Sequence, residues 1–198
     1  MKTRSKALLL TLCAVLLVAA SVLGTMAYLT SSDTVTNTFT VGSVAIKLDE
    51  AQANTDGTLV PNAERVKANS YKLLPGHTYN KDPMVTVLSG SEPSYVKMTV
   101  TFSKANELDA IFAPGGADLT KIFNGYDPAN WTYKDNTTDV TANTRTYEFW
   151  YKEAVGAPDG DVALDALFDS ITVPGSVTKE QLATIEGMTI TVNAYAIQ

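Results

Sequence analysis

The sequence predicts an all-β protein: an antiparallel β-sandwich, jelly-roll-like, with short helical insertions. Three segments, Thr34–Val41, Tyr95–Phe102 and Met188–Ile197, alternate in side-chain character from one residue to the next. This alternation is typical of antiparallel strands that have one buried and one solvent-facing side. After the first of them, the apolar positions shift by one residue at Gly42-Ser43, which favours a β-bulge or a bend between two sheets. A strand that changes sheets in this way is typical of a jelly roll.

The N-terminus has the pattern of an export signal. Three basic residues stand before position 7, and an apolar run follows from Ala7 to Leu23. Small residues Thr25 and Ala27 then occupy the positions that a signal peptidase requires. We therefore predict a signal peptide over residues 1–27 and a mature domain over residues 28–198 that begins at Tyr28. An uncleaved membrane anchor is the alternative.

Charge and cysteine content narrow the function classes. The chain has 15 basic and 21 acidic residues, a net charge of −6, and removal of the leader leaves 12 basic residues and a net charge of −9. No basic patch remains to bind nucleic acid or an anionic membrane surface, so both partners are excluded, apart from the membrane contact of the leader before cleavage. The single cysteine, Cys13, lies in the leader. The mature domain must therefore be stabilised by packing and sheet hydrogen bonds without disulfides.

Short runs bounded by turn residues predict the remaining elements. Further strands are expected at Val44–Leu48, Tyr71–Leu74, Met84–Leu88 and Thr146–Lys152, with a turn at Pro75-Gly76 and a connection at Gly90–Pro93. Tyr126–Asn143, rich in Asp, Asn and Thr, is expected to be an exposed loop.

Helical spacing of apolar residues predicts three short amphipathic helices. Their apolar faces are Leu108, Ile111 and Phe112; Leu119, Ile122 and Phe123; and Leu164, Leu167, Phe168 and Ile171. A fourth helix is expected after Thr178, because Gln181 three residues on completes a capping box, and it should end at Gly187.

The strand at Thr34–Val41 carries the main functional prediction. Its even positions are all threonine, and its odd positions, Val35, Asn37, Phe39 and Val41, form a mostly apolar face. The segment contains no charge, proline or glycine, which is the composition of a strand able to pair with another chain. Cleavage after Ala27 would leave this strand close to a new N-terminus. We expect its apolar face to contribute to assembly.

Several motifs in order resemble the TasA/camelysin family. They are Gly24–Tyr28, the Thr-rich strand, Phe39–Val44 with Ile46 and Leu48, the turn Leu74-Pro75-Gly76 followed by Lys81, and Ser94–Phe102. The resemblance extends from about Lys2 to Phe102. It implies a jelly roll, export through a SipW-type signal peptidase, and a place in the extracellular matrix or at the cell surface of a Gram-positive bacterium.

The resemblance favours a secreted, non-enzymatic subunit of biofilm-matrix fibres that self-assembles by donating its N-terminal strand to a neighbour. Camelysin is described as a metalloendopeptidase, so a secreted peptidase is one alternative. Zinc catalysis generally needs about three protein ligands, with histidine common among them, and His77 is the single histidine of the chain. We therefore expect His77 to be a turn residue and predict no metal, cofactor or catalytic residue.

A monomeric module that binds a glycan or a protein is the other alternative. Trp131, Tyr133, Trp150 and the stripe Tyr147, Phe149 and Tyr151 would form either an exposed platform or part of the core, and Trp131 is the best candidate for exposure. Asp159, Asp161 and Asp165 would be either calcium ligands or turn and cap residues; the second interpretation has the simpler local cause.

Overall fold

The computed structural model of the chain describes residues 3–29, 42–112 and 118–198. The chain divides into two units, residues 1–41 and 42–198. In the first unit, helix α1 (Thr3–Leu29) contains the apolar run and the predicted cleavage position after Ala27. The predicted assembly residues Val35, Asn37, Phe39 and Val41 lie outside the described residues. In the ranges that the structure describes, no helix has the length and hydropathy needed to cross a membrane.

The second unit carries the β-structure, and the described part of the chain is mostly β. Its strands are β1 (Ile46–Asp49), β2 (Thr78–Asn80), β3 (Met84–Val87), β4 (Ser91–Ser103), β5 (Phe123–Asn124), β6 (Trp131–Asp139), β7 (Thr144–Tyr151), β8 (Val155–Ala157), β9 (Val162–Ala163), β10 (Ser170–Thr172) and β11 (Ile190–Ile197). Two α-helices, α2 (Ala105–Phe112) and α3 (Lys179–Thr184), and a 3-10 helix (Leu119–Ile122) interrupt them.

Within the described residues, these strands pair antiparallel in three sheets. One sheet has the order β1-β3-β9, a second β2-β10-β5, and the largest β11-β4-β7-β6, while β8 pairs with the beginning of β4. The predicted strands at Met84–Leu88, Tyr95–Phe102, Thr146–Lys152 and Met188–Ile197 are confirmed. The prediction of antiparallel β-structure is thus correct.

A single apolar core explains why the longest strands alternate. Val96, Met98, Val100 and Phe102 of β4 are fully buried, as the period-two pattern predicts. In β7, Phe149 and Tyr147 lie directly opposite Met98 and Val100 and are also buried. Side chains from all three sheets join this core, which also includes Trp131 and Phe168.

The expected loop at Tyr126–Asn143 is largely a strand, so that prediction was wrong. Strand β6 covers Trp131–Asp139 and pairs with β7, with a shift in register between Tyr133 and Asp135. It is an edge strand of its sheet, and most of its side chains are exposed. Polar residues and a bulge are features of edge strands, which explains why its composition resembles that of a loop.

The prediction of a helix at Leu164–Ile171 was also wrong. All four residues of its apolar stripe are buried, but the chain is irregular there until β10 begins at Ser170. The backbone N–H groups of Leu164 and Leu167 donate to the carbonyl groups of Val85 and Pro83, at 2.9 and 3.1 Å. Hydrogen bonds to the segment around β3 therefore replace those that a helix would make internally.

Two shorter predictions need correction as well. Tyr71–Leu74 forms no strand; the Tyr79 hydroxyl instead donates to the carbonyl of Lys72 and accepts from the N–H of Leu74. A buried side chain thus satisfies backbone groups that a strand partner would otherwise bind. The expected connection at Gly90–Pro93 belongs in part to β4, which begins at Ser91 with an irregular register against β8.

The remaining local signals agree with the structure in part, since Phe123, the last residue of the second predicted helix, belongs to β5. Helix α2 forms where predicted, and the segment after it begins as a 3-10 helix. The capping box of Thr178 and Gln181 is present at the start of α3, and Gly187 follows with a positive φ of 73°. Gly76 also has a positive φ, 75°, which is the conformation that its turn requires.

Candidate functional site

Among the described strands, β11 lies at one edge of the largest sheet. It pairs along its whole length with β4, from Ile190 opposite Phe102 to Ile197 opposite Tyr95. In the part of the chain that the structure describes, no strand pairs with its other side. An open edge presents a row of backbone N–H and C=O groups, and these can pair with an additional strand.

A large groove lies beside this open edge. Its cavity volume is about 1240 Å³, and its walls come from β11, the end of β1, the segment 67–75 and the region of α3. Several apolar residues line the groove on one side and pack against the core on the other. These residues are Leu48, Tyr71, Leu73, Leu182, Met188, Ile190 and Val192.

These half-buried side chains make the groove an incompletely covered part of the core. Ile190 and Val192 alternate along β11 with exposed residues, as they would in a strand with one buried face, but they are only partly buried. Covering apolar surface stabilises by about 25 cal/mol per Å². A strand laid along β11 would gain this term and main-chain hydrogen bonds together.

The polar wall of the groove is held by ion pairs. Arg65 donates to Asp49 Oδ1 at 2.6 Å and to Asp82 Oδ2 at 2.8 Å, and Lys47 Nζ lies 2.6 Å from the other oxygen of Asp49. Burial raises the pKa of Asp49, but hydrogen bonds from Lys47 and Arg65 outweigh it, so its pKa lies below the usual value. Asp49 is therefore a carboxylate at neutral pH.

A second ionic group, which sequence reasoning missed, lies in the same wall. Glu50 Oε2 accepts from Lys81 Nζ at 2.5 Å, and Glu50 Oε1 accepts from Asn69 Nδ2 at 3.0 Å. Glu50 and Lys81 are 5% and 8% exposed. Lys81 is the basic residue of the Leu-Pro-Gly motif, and the motif was the one sequence signal that singled it out.

The structure separates the other predicted site residues. His77 is exposed after its turn, with its ring 6.2 Å from that of Tyr79. Asp161 Oδ1 accepts from the N–H of Ser89, and Asp165 Oδ2 accepts from Asn130 Nδ2. Among the described residues, no group of three or more His, Cys, Asp or Glu side chains is arranged to hold a metal ion.

The predicted aromatic platform is divided between two environments. Trp131, expected to be exposed, is 1% exposed; its Nε1 donates to the carbonyl of Asp165, and its ring packs edge-on against Tyr151. Tyr147 and Phe149 are likewise buried. Trp131 is in the core because it begins β6 on the buried side of the sheet. Trp150, by contrast, points to the outer face of that sheet.

On this outer face, aromatic and charged side chains form a row across four strands. Thr132, Trp150, Lys97 and Tyr195 are consecutive cross-strand neighbours from β6 to β11. Lys97 Nζ lies 5.8 Å from the ring centre of Trp150 and 5.1 Å from that of Tyr195. Tyr95, about half exposed, lies two residues from Lys97 on the same face. The face thus combines flat apolar surface with charge.

Comparisons with known proteins add no relative to these observations. No protein-family model matches the chain, and no curated protein or solved structure matches it.

Proposed function

We propose that the protein is a secreted, non-enzymatic structural protein of the TasA type, a jelly-roll β-sandwich that polymerises into fibres by N-terminal donor-strand exchange. The observation that supports the proposal is the groove beside β11, where an edge that no other described strand covers lies next to half-buried apolar residues. In this proposal, one subunit supplies the strand Thr34–Val41 and the next subunit supplies the groove.

The donor strand and the open edge match in length and pattern. Strand β11 has eight residues, and the alternating segment Thr34–Val41 also has eight. On the donor, Val35, Phe39 and Val41 would face the half-buried side chains of the groove, and the threonine side would face outward. Eight paired residues extend over about 27 Å, so the donor would form main-chain hydrogen bonds along the whole edge of β11.

Donation from one subunit to the next is a head-to-tail contact. Such a contact produces an open filament unless its rotation closes a ring. Export through a SipW-type signal peptidase would free the donor, because cleavage after Ala27 places it near the new N-terminus. The protein would then assemble in the extracellular matrix or at the cell surface. The competing outcome is that the strand occupies the groove of its own subunit, which gives a monomer.

A deletion and point variants in the donor segment and in the groove test the strand exchange. We expect deletion of residues 28–37, Phe39→Asp and Val192→Glu each to give folded monomers, whereas the unaltered mature protein forms filaments visible by electron microscopy. Thr38→Asp and Asn193→Glu are matched controls, because each lies next to a tested residue on the opposite face of its strand. Both controls should polymerise.

Mixing the truncated protein with the Val192→Glu variant distinguishes strand exchange between subunits from insertion of the strand into its own subunit. The protein lacking residues 28–37 retains a groove, and the Val192→Glu variant retains a donor. Donor-strand exchange predicts that the mixture forms heterodimers that do not grow, as measured by light scattering and mass photometry. If the unaltered mature protein stays monomeric at every concentration, or if the truncated protein polymerises at the unaltered rate, the proposal is wrong.

A second candidate function is supported by the outer face of the largest sheet. A shallow cavity of about 590 Å³ there is lined by Tyr95, Thr132, Lys134, Glu148, Trp150, Tyr151 and Lys152. Flat aromatic rings stack on the apolar faces of sugar rings. Lysines outnumber acidic residues at this cavity although the chain is acidic overall. This complementarity favours an acidic polysaccharide as the ligand.

The glycan hypothesis is tested by calorimetric titration with oligosaccharides rich in uronic acids and with neutral ones. We expect binding of the acidic oligosaccharides alone, and a loss of about tenfold in affinity for Trp150→Ala. Thr191→Ala is the control, because Thr191 lies on the outer face of the same sheet but outside the cavity. This variant should bind the acidic oligosaccharides normally. Equal binding of neutral oligosaccharides, or an unchanged affinity for Trp150→Ala, would exclude this candidate.

A further inference from the structure

Buried Lys81 and Glu50, together with half-buried Asn69, have the components of a reactive site. The Lys81 ammonium and the Asn69 amide nitrogen bind the two oxygens of one carboxylate, that of Glu50, at 2.5 and 3.0 Å. A nucleophile, an acid–base group and an amide are thereby brought together at the wall of the groove, with the first two buried.

The amide of Asn69 is positioned and polarised. Its Oδ1 accepts a hydrogen bond from the backbone N–H of Ala53 at 2.8 Å, and its Nδ2 also donates to the carbonyl of Ala51 at 2.8 Å. Attack on the amide carbon would place negative charge on Oδ1. The Ala53 N–H already points at that oxygen, which is the arrangement that stabilises such a charge.

The surrounding structure fixes the other two groups. Glu50 exchanges backbone hydrogen bonds with Val66 in both directions, at 2.9 and 2.7 Å, and the N–H of Lys81 donates to the carbonyl of Asp169. Tyr71 lies close by: its pKa is raised first by burial and then by the charge of Glu50. Its ring packs edge-on against that of Tyr79, at 5.5 Å between centroids.

We propose that Lys81 and Asn69 form an intramolecular isopeptide bond, with Glu50 as the general acid and base. Glu50 takes a proton from the Lys81 ammonium, and the neutral amine attacks Cγ of Asn69. The bond from Lys81 Nζ to Cγ forms and the bond from Cγ to Nδ2 breaks. Glu50 transfers protons from the amine to the leaving nitrogen, which departs as ammonium. One amide replaces another, so no oxidant, reductant or cofactor is consumed.

The bond would strengthen a segment with little regular structure. Residues 51–72 contain only isolated β-bridges among the described elements, yet they form much of the wall of the groove. The cross-link would tie this segment to the end of β2. Its formation does not depend on the proposed assembly, so failure of one leaves the other standing.

Mass spectrometry of the purified mature protein tests the bond directly. We expect an intact mass lower than that of the sequence by one ammonia molecule. Tryptic digestion should give no cleavage after Lys81 and should yield a branched peptide that joins the segments containing Asn69 and Lys81. A full intact mass, or an ammonia loss that maps to a cyclic imide at Asn69 without a branched peptide, would overturn the proposal.

Variants assign the roles. Glu50→Gln, Lys81→Arg and Asn69→Ala should each retain the full mass, with folding checked by circular dichroism. Lys67→Arg is the matched control, since Lys67 lines the same groove but donates to the carbonyl of Leu48, and it should still lose ammonia. A branched peptide that persists in folded Glu50→Gln at the unaltered yield would contradict the acid–base role of Glu50.

Discussion

Arg65 shows how one side chain organises the start of the second unit. Its guanidinium donates to the carboxylates of Asp49 and Asp82 and to the backbone carbonyl of each. Asp82 in turn accepts from the N–H of Ala51 at 2.7 Å. Three segments distant in sequence are therefore held by a single planar cation, whose fixed fork of donors suits this geometry better than the point charge of lysine.

The ion pairs of Asp49 predict a specific dependence of stability on pH. The pKa of Asp49 is lower in the folded chain than its unfolded value of about 3.9. Its contribution to the free energy of unfolding is therefore complete above about pH 4 and is lost as the pH falls through the lowered folded pKa. We expect Asp49→Asn to lose roughly 1.5–3 kcal/mol at neutral pH, the usual value for hydrogen bonds to charged groups.

Urea unfolding of both proteins from neutral pH into the acid range measures this difference. It should stay constant down to about pH 4 and shrink below it. Glu64→Gln, at the exposed residue next to Arg65, is the control and should change stability little at any pH. A difference between Asp49→Asn and the unaltered protein that is constant throughout the acid range would contradict the lowered pKa.

At the scale of elements, the sequence predicted what depends on local pattern. The alternation in β4 and β11 and the capping box of α3 were identified because their causes lie within a few residues. Strand β6 was missed because an edge strand with an exposed surface has no need of apolar alternation. Residues Leu164–Ile171 were misassigned because a buried irregular segment can show helical spacing by chance.

The candidate site was less accessible to prediction, for a physical reason. The alternating segment Thr34–Val41, which we propose as the donor strand, is a local pattern of the sequence. The groove is a tertiary feature: Leu48, Leu182 and Val192 meet in it from segments far apart in the chain. The contacts among Glu50, Asn69 and Lys81 likewise join separate segments. In the sequence, only the motif around Lys81 indicated one of these three residues.

At the scale of the whole molecule, net charge would oppose the proposed assembly. The chain is acidic, with a pI of about 4.7, and the mature domain would carry a net charge of −9. In the proposed donor-strand exchange, subunits that add to a filament would approach against this repulsion. Contacts within the groove are mostly apolar or already ion-paired within the subunit, so salt should weaken the repulsion more than it weakens the docking.

We therefore expect the filament growth rate of the mature protein to rise severalfold between low and physiological ionic strength. The Debye length falls over this range from about 30 Å at 0.01 M to about 8 Å at 0.15 M. Lowering the pH toward the pI at low salt should act in the same direction, and the Asp49 ion pairs should survive because its pKa is lowered. Light scattering follows the rate, and the Val192→Glu variant separates filament growth from precipitation, because it should stay monomeric throughout. A growth rate that falls as salt increases would mean that attraction between oppositely charged surfaces, rather than net repulsion, governs the encounter.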